Sequence, residues 1–400
     1  MLPGIGIFIS AGTIMKVLVP YLRAKGFKVD SVWAQTQEAA REAAEELEIP
    51  FFTSKVDDVL LKREVDLIII MCPPLLHAQI AVKALGIGKH VLCDKPGGLS
   101  QSETLKMVHA AQYYPSLISV MAYSLRFLPS FQYVRNVISD QLIGEVNYCD
   151  IHVQLGSLIN PKNYDWTCEE GMGGGVLTMI GSHVIDVVSA VIRQRATRVH
   201  GVTRRGLAVK GETSIRRITS DRFASFNMEM NGGALVAVTL NSQEGLKNFD
   251  ISFSVTGSQG FITYTRLFYI TGGTVTGQSI ANPNSEIFHT DTDELSFLPS
   301  SIVNNAPIQP HQRPYINGLF RMVSALRDAF SRVEDRSGWI KDAVSSAATF
   351  EDGQYVMAVI EAVKRSSKMR EWSEVFIIHE EPDPNPVLSA AVRRSTIAAV

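Results

Sequence analysis

Residues 66–96 read DLIIIMCPPLLHAQIAVKALGIGKHVLCDKP, and this stretch decides the fold. Two short, largely apolar runs, Leu67–Met71 and His90–Cys93, flank a segment, Leu75–Leu85, whose apolar residues recur at spacings of three and four. Continuous apolar runs suit strands buried on both faces, and the three-and-four spacing suits a helix. A strand, a crossover helix and a second strand of this length form a parallel βαβ unit.

The pattern continues outward. Upstream, Ile5–Ile9 and Val29–Trp33 read as strands and Gln37–Leu47 as a helix; downstream, Ser100–Ala111 reads as a helix and Ile118–Met121 as a strand. Right-handed crossovers arrange such units as a doubly wound sheet that collects its ligand at the carboxyl edge. After about residue 122 the texture changes. Val146–Leu155, Phe223–Met230, Ala234–Asn241 and Phe249–Val255 alternate apolar and polar residues, while Val184–Val191, Tyr315–Phe330 and Glu351–Val363 return to helical spacing. The expected class is α/β: an N-terminal Rossmann dinucleotide-binding domain over 1–121, then an α+β substrate and dimerisation domain over 122–380 with a mostly antiparallel open sheet. A Pro-rich EPDPNP stretch opens a loosely attached tail over 381–400.

Composition narrows the classes of function. A chain of 400 residues exceeds the roughly 250–300 at which single cores stop growing, so two domains are expected. With 20% charged residues and a net charge of −2, it has no field to draw in nucleic acid or anionic lipid. No run reaches the roughly 18 uninterrupted apolar residues of a membrane span. Cys72, Cys93, Cys149 and Cys168 show neither CxxC nor metal-ligand spacing, and buried free thiols are expected, with no metal. The apolar N-terminus lacks a basic start and is broken by Lys16 and glycines, so a first strand in a cytoplasmic protein is the expectation and secretion the alternative.

Three segments hold candidate cofactor contacts. Ser10, Ala11, Gly12, Thr13 and Ile14 occupy the first βα turn, where a dinucleotide fold places G-x-G-x-x-G. Glycines there let the backbone approach the pyrophosphate, and the next helix offers free N–H groups. Ile9 and Ala11 stand where the first two glycines are expected, so a plain tight turn is an equal reading. Strand two ends at Gln35 and Thr36, with no carboxylate to repel a 2′-phosphate. That favours NADP, with NAD as alternative, although the same residues make a helix-capping turn. Cys72, Pro73 and His77, with Asp94, Lys95 and Pro96, lie at two adjacent carboxyl ends, where Lys95 can hydrogen-bond a substrate hydroxyl and relay a proton. On spacing alone, a surface lysine is the competing reading. Trp166 lines the nicotinamide or sugar pocket or packs a hinge, and Arg126 anchors substrate or bridges domains.

The 66–96 stretch resembles the strand 4 to strand 5 region of the glucose-fructose oxidoreductase and inositol dehydrogenase family, which typically reads Glu-Lys-Pro where this chain has Asp94-Lys95-Pro96. LRFLPSF (125–131), LIGEV (142–146) and GGGVLTMIGSHVIDVV (173–188) resemble the same family in order and spacing. YDWTCEE (164–170), RRITSD (216–221) and AVKRSSKMREW (362–372) look more narrowly like the animal glucose-fructose oxidoreductase domain-containing proteins. The resemblance implies hydride transfer between nicotinamide and a sugar or polyol, with proton handling by Lys95 and by His183. It also implies a homodimer through the second sheet, whose uncovered face is expected to be apolar. Met179 stands where the family often has an aspartate four residues before that histidine. An NAD(P)-dependent oxidoreductase is therefore expected. The alternative is a weakly active or inactive NADP-binding protein serving as sensor, scaffold or matrix factor, which Ile9, Ala11 and Met179 motivate.

Overall fold

The computed structural model describes residues 2–10, 14–159, 164–205, 209–210, 215–216, 218–243, 249–266, 273–279, 286–306, 308–331 and 338–380. The tail expected at 381–400 lies outside them, as do Ala11, Gly12 and Thr13 of the first turn.

The first part alternates strands and helices: β1 (Gly4–Ile9), α1 (Met15–Ala24), β2 (Lys28–Trp33), α2 (Gln37–Leu47), β3 (Phe51–Thr53), α3 (Val56–Leu60), β4 (Leu67–Met71), α4 (His77–Gly86), β5 (His90–Cys93), α5 (Gln101–Tyr113) and β6 (Ser119–Met121). The six strands pair in parallel in the order β3-β2-β1-β4-β5-β6, the dinucleotide-binding arrangement. Its strand order reverses between β1 and β4, so their carboxyl ends frame the crevice. Ile5, Ile7, Ile68 and Ile70 have no exposed surface, as strands covered on both faces require. Three elements escape the sequence pattern: β3 is three residues long, α3 only five, and α1 carries Pro20 within it. Helix α4 starts at His77 because Pro73 and Pro74 divert the chain into a 3₁₀ turn, Pro74–Leu76.

The remainder supplies α6 (Pro129–Ser139), β7 (Val146–Gly156), α7 (Ser182–Ile192), β8 (Ala196–Arg205), a short pair β9 (Val209–Lys210) and β10 (Ile215–Arg216), β11 (Asp221–Met230), β12 (Leu235–Gln243), β13 (Asp250–Gly257), β14 (Gly260–Arg266), β15 (Thr274–Ser279) and β16 (Glu286–Thr290). It ends with α8 (Ser300–Asn304), α9 (Gln312–Ser331), α10 (Phe350–Met369) and β17 (Ser373–Glu374). Nine strands form a sheet in the order β16-β15-β14-β13-β7-β12-β11-β8-β17, antiparallel except for the β7–β12 pair. One face, with Cys149, Ile151 and Val153 of β7 and Phe253 and Val255 of β13, packs into the core against α6, α7 and α10.

The opposite face is not the apolar surface expected. Register places Ser225, Thr239, His152, Ser252, Thr265 and Thr274 in one row across six strands. Ser225 pairs with Thr239 at 3.3 Å and Thr265 with Thr274 at 3.2 Å, hydroxyl to hydroxyl. In β13, β14 and β15 the outward half of the alternation is chiefly Ser and Thr, and in β7 it is Tyr148, Asp150, His152 and Gln154, side chains that suit a strand without needing burial.

The two sheets share their helices. Helix α9 returns to the first sheet, where Phe320 stacks on Tyr21 with ring centroids 3.8 Å apart and the Tyr21 and Ser324 hydroxyls meet at 3.1 Å. Leu319, Phe320 and Val323 are fully buried there with Ile5, Ile7 and Ile69. Burying each such side chain is worth about 1.5–3 kcal/mol, so α9 belongs energetically to the first sheet. Helix α10 lies between α5 and β8. A capping box starts it, Thr349 accepting from the Asp352 N–H and Asp352 from the Thr349 N–H. The stretch Glu170–Ile192 holds an 18-residue window with the mean hydropathy, 1.8, of a membrane span, but 78% of that window is buried inside the protein, as a core helix is. All four cysteines are buried and free.

Candidate active site

The β4 and β5 ends are fastened together before any functional side chain is placed. The Asp94 N–H donates to the Ile70 carbonyl at 2.8 Å and so continues the ladder one residue past β5. His77, with no exposed surface, sets Nδ1 2.7 Å from the Pro96 carbonyl and Nε2 2.7 Å from the Cys72 carbonyl. Both ring nitrogens face backbone, so His77 positions the two strand ends and has no atom to offer a cofactor, contrary to the sequence expectation. The Cys72 thiol is likewise buried, and burial pushes its pKa up to about 12. What remains at this edge is backbone, Pro73 and the Asp94–Lys95 pair.

Asp94 is committed as well. Its Oδ1 accepts the Lys95 N–H at 2.8 Å and the Tyr315 hydroxyl at 3.0 Å, so α9 reaches the strand end directly. Lys95 is thus fixed through its own amide and through the following carbonyl. Its side chain is half-buried, and no hydrogen bond or ion pair among the described residues engages its ammonium.

His183 approaches from α7. The preceding GGG run ends at Gly175 with φ of +108°, where a Cβ would lie 2.2 Å from Asp221 Oδ1. The other oxygen of Asp221 accepts the Leu177 N–H at 2.8 Å, at the head of a π-helical turn, Leu177–Gly181, that runs into α7. His183 follows, 7% exposed, with its Nδ1 unpaired. Burial, then the Lys95 charge, hold its pKa well below the usual histidine range, so the ring is neutral. The rings of Tyr123 and Tyr315 stand edge-on to it at centroid distances of 5.9 and 5.4 Å.

A second imidazole completes the site. His311, in the turn before α9, is pushed down to about 4 by burial and then by the same Lys95 charge. His183, His311 and Tyr315 line one cavity whose remaining walls include Leu125, Phe131, Val153, Ile180, Phe249 and Ile251. Neither His311 nor Tyr315 is marked by sequence reading. Their only signal is PHQRPY, 310–315, a histidine bracketed by prolines ahead of an amphipathic helix.

The other predicted residues are dispersed. Ser10 is half-buried at the end of β1. Ile14 starts α1 with no side-chain cap and no acid in the first turn, which leaves that helix end suited to a pyrophosphate. Gln35 and Thr36 are exposed, and Thr36 Oγ1 accepts the Ala39 N–H at 3.2 Å, the capping role weighed above. Trp166 sits half-buried in a 3₁₀ turn and does not line the cavity. Met179 falls within the π-helical turn. Arg126 is structural: its Nε and Nη2 donate to Asp186 at 2.8 and 2.6 Å, and its Nη1 lies 3.1 Å from Asp352. Burial outweighs that pairing at Asp186, whose carboxyl is pushed up to about 6.

Comparison with known proteins agrees with this architecture. The model of the GFO/IDH/MocA oxidoreductase family's NAD-binding Rossmann fold matches residues 6–121, and that of its C-terminal domain matches 131–263. Glucose-fructose oxidoreductase domain-containing protein 2 of Bos taurus is 41% identical, over 99% of this chain and 100% of the relative. Glucose-fructose oxidoreductase domain-containing protein 1 of Mus musculus is 39% identical, over 100% and 99%. Among solved structures, levoglucosan dehydrogenase in complex with NADH and L-sorbose superposes with a TM-score of 0.74 at 18% identity, covering 94% of this chain and all of that one. Aldose-aldose oxidoreductase from Caulobacter crescentus, complexed with glycerol, gives 0.69 at 16%, with the same coverage. These last two share the fold.

Proposed function

The chain belongs to the GFO/IDH/MocA oxidoreductase family, and from that premise we propose that it transfers hydride between a nicotinamide dinucleotide and a hydroxy or carbonyl compound of the sugar and polyol class. What supports this reading is a buried, neutral, partly unpaired His183 that feels the charge of Lys95, itself at the carboxyl edge of a dinucleotide-type sheet. A bound nicotinamide supplies the hydride acceptor in oxidation and the donor in reduction.

The protein's own part is the proton. Alcohol oxidation has to release the hydroxyl proton as the hydride leaves. The Lys95 ammonium holds the substrate oxygen and favours its negative charge, and the His183 ring, kept neutral by burial, accepts the proton. In reduction the same pair returns it. Asp94 does not take part in proton transfer; it fixes the Lys95 amide and the Tyr315 ring.

NADP is the favoured dinucleotide, because exposed Gln35 and Thr36 present no carboxylate at the end of β2, and NAD is not repelled there either. The structural relatives bound to NADH and L-sorbose and to glycerol support a small polar substrate. A homodimer through the Ser/Thr-rich face of the second sheet and a cytoplasmic location belong to the same proposal, the latter supported by four free thiols. The test is absorbance at 340 nm with NADP or NAD and a panel of aldoses, polyols and simpler alcohols, wild type beside Lys95→Met. Turnover lost in the variant supports the reading. Binding without turnover across the panel leaves a dinucleotide-binding protein, and failure to bind either dinucleotide overturns both.

A further inference from the structure

We propose that the cleft between the end of β8 and the last two turns of α10 binds a small, multiply charged phosphate-type anion, apart from the Lys95 site. The inference goes beyond the oxidoreductase reading and does not depend on it.

The cleft holds about 690 Å³, the size of a small-molecule site, and Arg204, Arg205, Lys364, Arg365 and Lys368 line it from two elements. In a chain whose net charge is −2, five cations on one concavity are a local excess and not part of a generally basic surface.

Local structure brings them together. On α10, Lys364 and Lys368 are four residues apart and share one side of the helix. On β8, two consecutive residues of a regular strand would point to opposite faces. The register breaks there: Arg205 pairs with Asp221 and Arg204 with Phe223, so Arg222 is an extra residue on β11. Such a bulge twists and re-aims the chain, and both arginines line the cleft. Ser367 ties the two walls, its hydroxyl accepting the Thr203 N–H at 2.9 Å.

The charge is under-compensated. Two carboxylates face the cleft, and one of them, Asp221, is buried with an oxygen given to the Leu177 N–H. The other, Glu170, is divided between the walls, 3.3 Å from Arg205 and 3.4 Å from Lys364. Arg204 donates to the Thr203 carbonyl at 3.4 Å, and Arg365 to the Ser373 hydroxyl at 3.2 Å and the Glu374 carbonyl at 2.8 Å, acceptors that cancel no charge. No hydrogen bond or ion pair among the described residues engages the Lys368 ammonium. The carbonyl end of α10 attracts Lys364 and Lys368, but Arg204 and Arg205 come from a strand, and their planar forks match the oxygens of a phosphate. Glu170 is the internal competitor, from which an incoming anion takes Arg205 and Lys364.

Inorganic pyrophosphate, titrated calorimetrically into the full chain at low ionic strength, is the probe. Lys368→Glu or Arg204→Glu is expected to weaken its binding about tenfold or more, and Glu170→Gln to tighten it about threefold. Arg63→Glu makes the same charge change in the exposed turn before β4 and should leave the affinity as it was. Lys368 and Arg204 are exposed, so thermal unfolding of their variants is expected to match that of the wild type. Pyrophosphate held at the start of α1 instead would be indifferent to Lys368, Arg204 and Glu170; that indifference, or no binding at all, overturns the proposal, as does weaker binding by Glu170→Gln. Phosphatidylcholine vesicles containing phosphatidic acid offer the same phosphate on a lipid. Sedimentation with them that Lys368→Glu abolishes, in a chain that ignores pyrophosphate, would assign the cleft to a headgroup and overturn the free anion. Hydride transfer enters none of these readouts.

Discussion

The imidazole of His77 lies 2.7 Å from the carbonyl oxygen of Pro96, one residue beyond Lys95, and the far side of the same ring lies 2.7 Å from the Cys72 carbonyl. A single buried side chain therefore sets the spacing of two strand ends that share no ladder bond at that level. Its removal by His77→Ala leaves two carbonyls unpaired in a closed space. Unfolding in urea is expected to show a loss of about 2–4 kcal/mol. Both contacts are hydrogen bonds only if both ring nitrogens carry hydrogen. Burial, the largest influence, lowers the His77 pKa and the Lys95 charge adds to it, while Asp94 and the two carbonyls work against them. The ring is therefore neutral at neutral pH, and nitrogen NMR should find one ring nitrogen protonated and the other bare.

Lys95→Met removes the charge that depresses two neighbouring rings. The His183 and His311 titrations should both move up, because the Lys95 ammonium lowers each of them and burial alone then remains. Hydride transfer should fall about 10²–10⁴-fold with dinucleotide affinity nearly unchanged. Unmoved histidine titrations would separate Lys95 from both rings.

Arg126→Met leaves Asp186 buried without its bidentate partner. Breaking one side of a buried pair costs about 3–5 kcal/mol, and the double variant with Asp186→Asn should recover much of it. Thermal unfolding of the two single variants and the double variant reads the coupling.

Acid should weaken the fold through its neutral imidazoles. His90 Nδ1 accepts the Ile118 N–H at 2.9 Å, and burial pushes the ring down to about 4. The unfolded chain takes up this proton near pH 6.5, the folded chain only near 4. Stability from His90 is thus complete above 6.5 and is lost as pH falls toward 4, at about 1.4 kcal/mol per unit. Asp186 and Asp221, both raised to about 6, work in the opposite sense between 6 and 3.8 and mask the trend in the whole protein. The comparison that isolates it is His90→Gln, whose amide oxygen can still accept from Ile118. Between pH 6.5 and 4 the variant should lose less stability than the wild type by that slope.

Sequence reading reaches the site unevenly, for physical reasons. Leu67–Met71 and His90–Cys93 are legible because strands covered on both faces exclude polar residues, and their ends locate Lys95. His183 becomes legible only through the family resemblance, since a histidine in an apolar helix has no pattern of its own. His311 and Tyr315 are silent because they reach Lys95 through tertiary return of α9, which no local spacing records. The outer face of the second sheet is polar against expectation because alternation identifies the buried half of a strand and leaves the chemistry of the other half to be read residue by residue. His77 looked like a ligand contact because its position at a strand end is visible and its two backbone partners are not.

The docking of α9 on the first sheet also dictates an order of assembly on the ribosome. Strands β1 to β6 leave the exit tunnel early, yet the apolar surface around Tyr21, Ile7 and Ile69 stays uncovered until residues 312–331 have been made. All of 122–311 is synthesised in that interval, and Asp94 gains its Tyr315 partner only after it. The N-terminal part is therefore a nascent chain that waits with a sticky flank, the state that chaperones recognise, and Asp94 and Lys95 are set in their final surroundings only once α9 has been made.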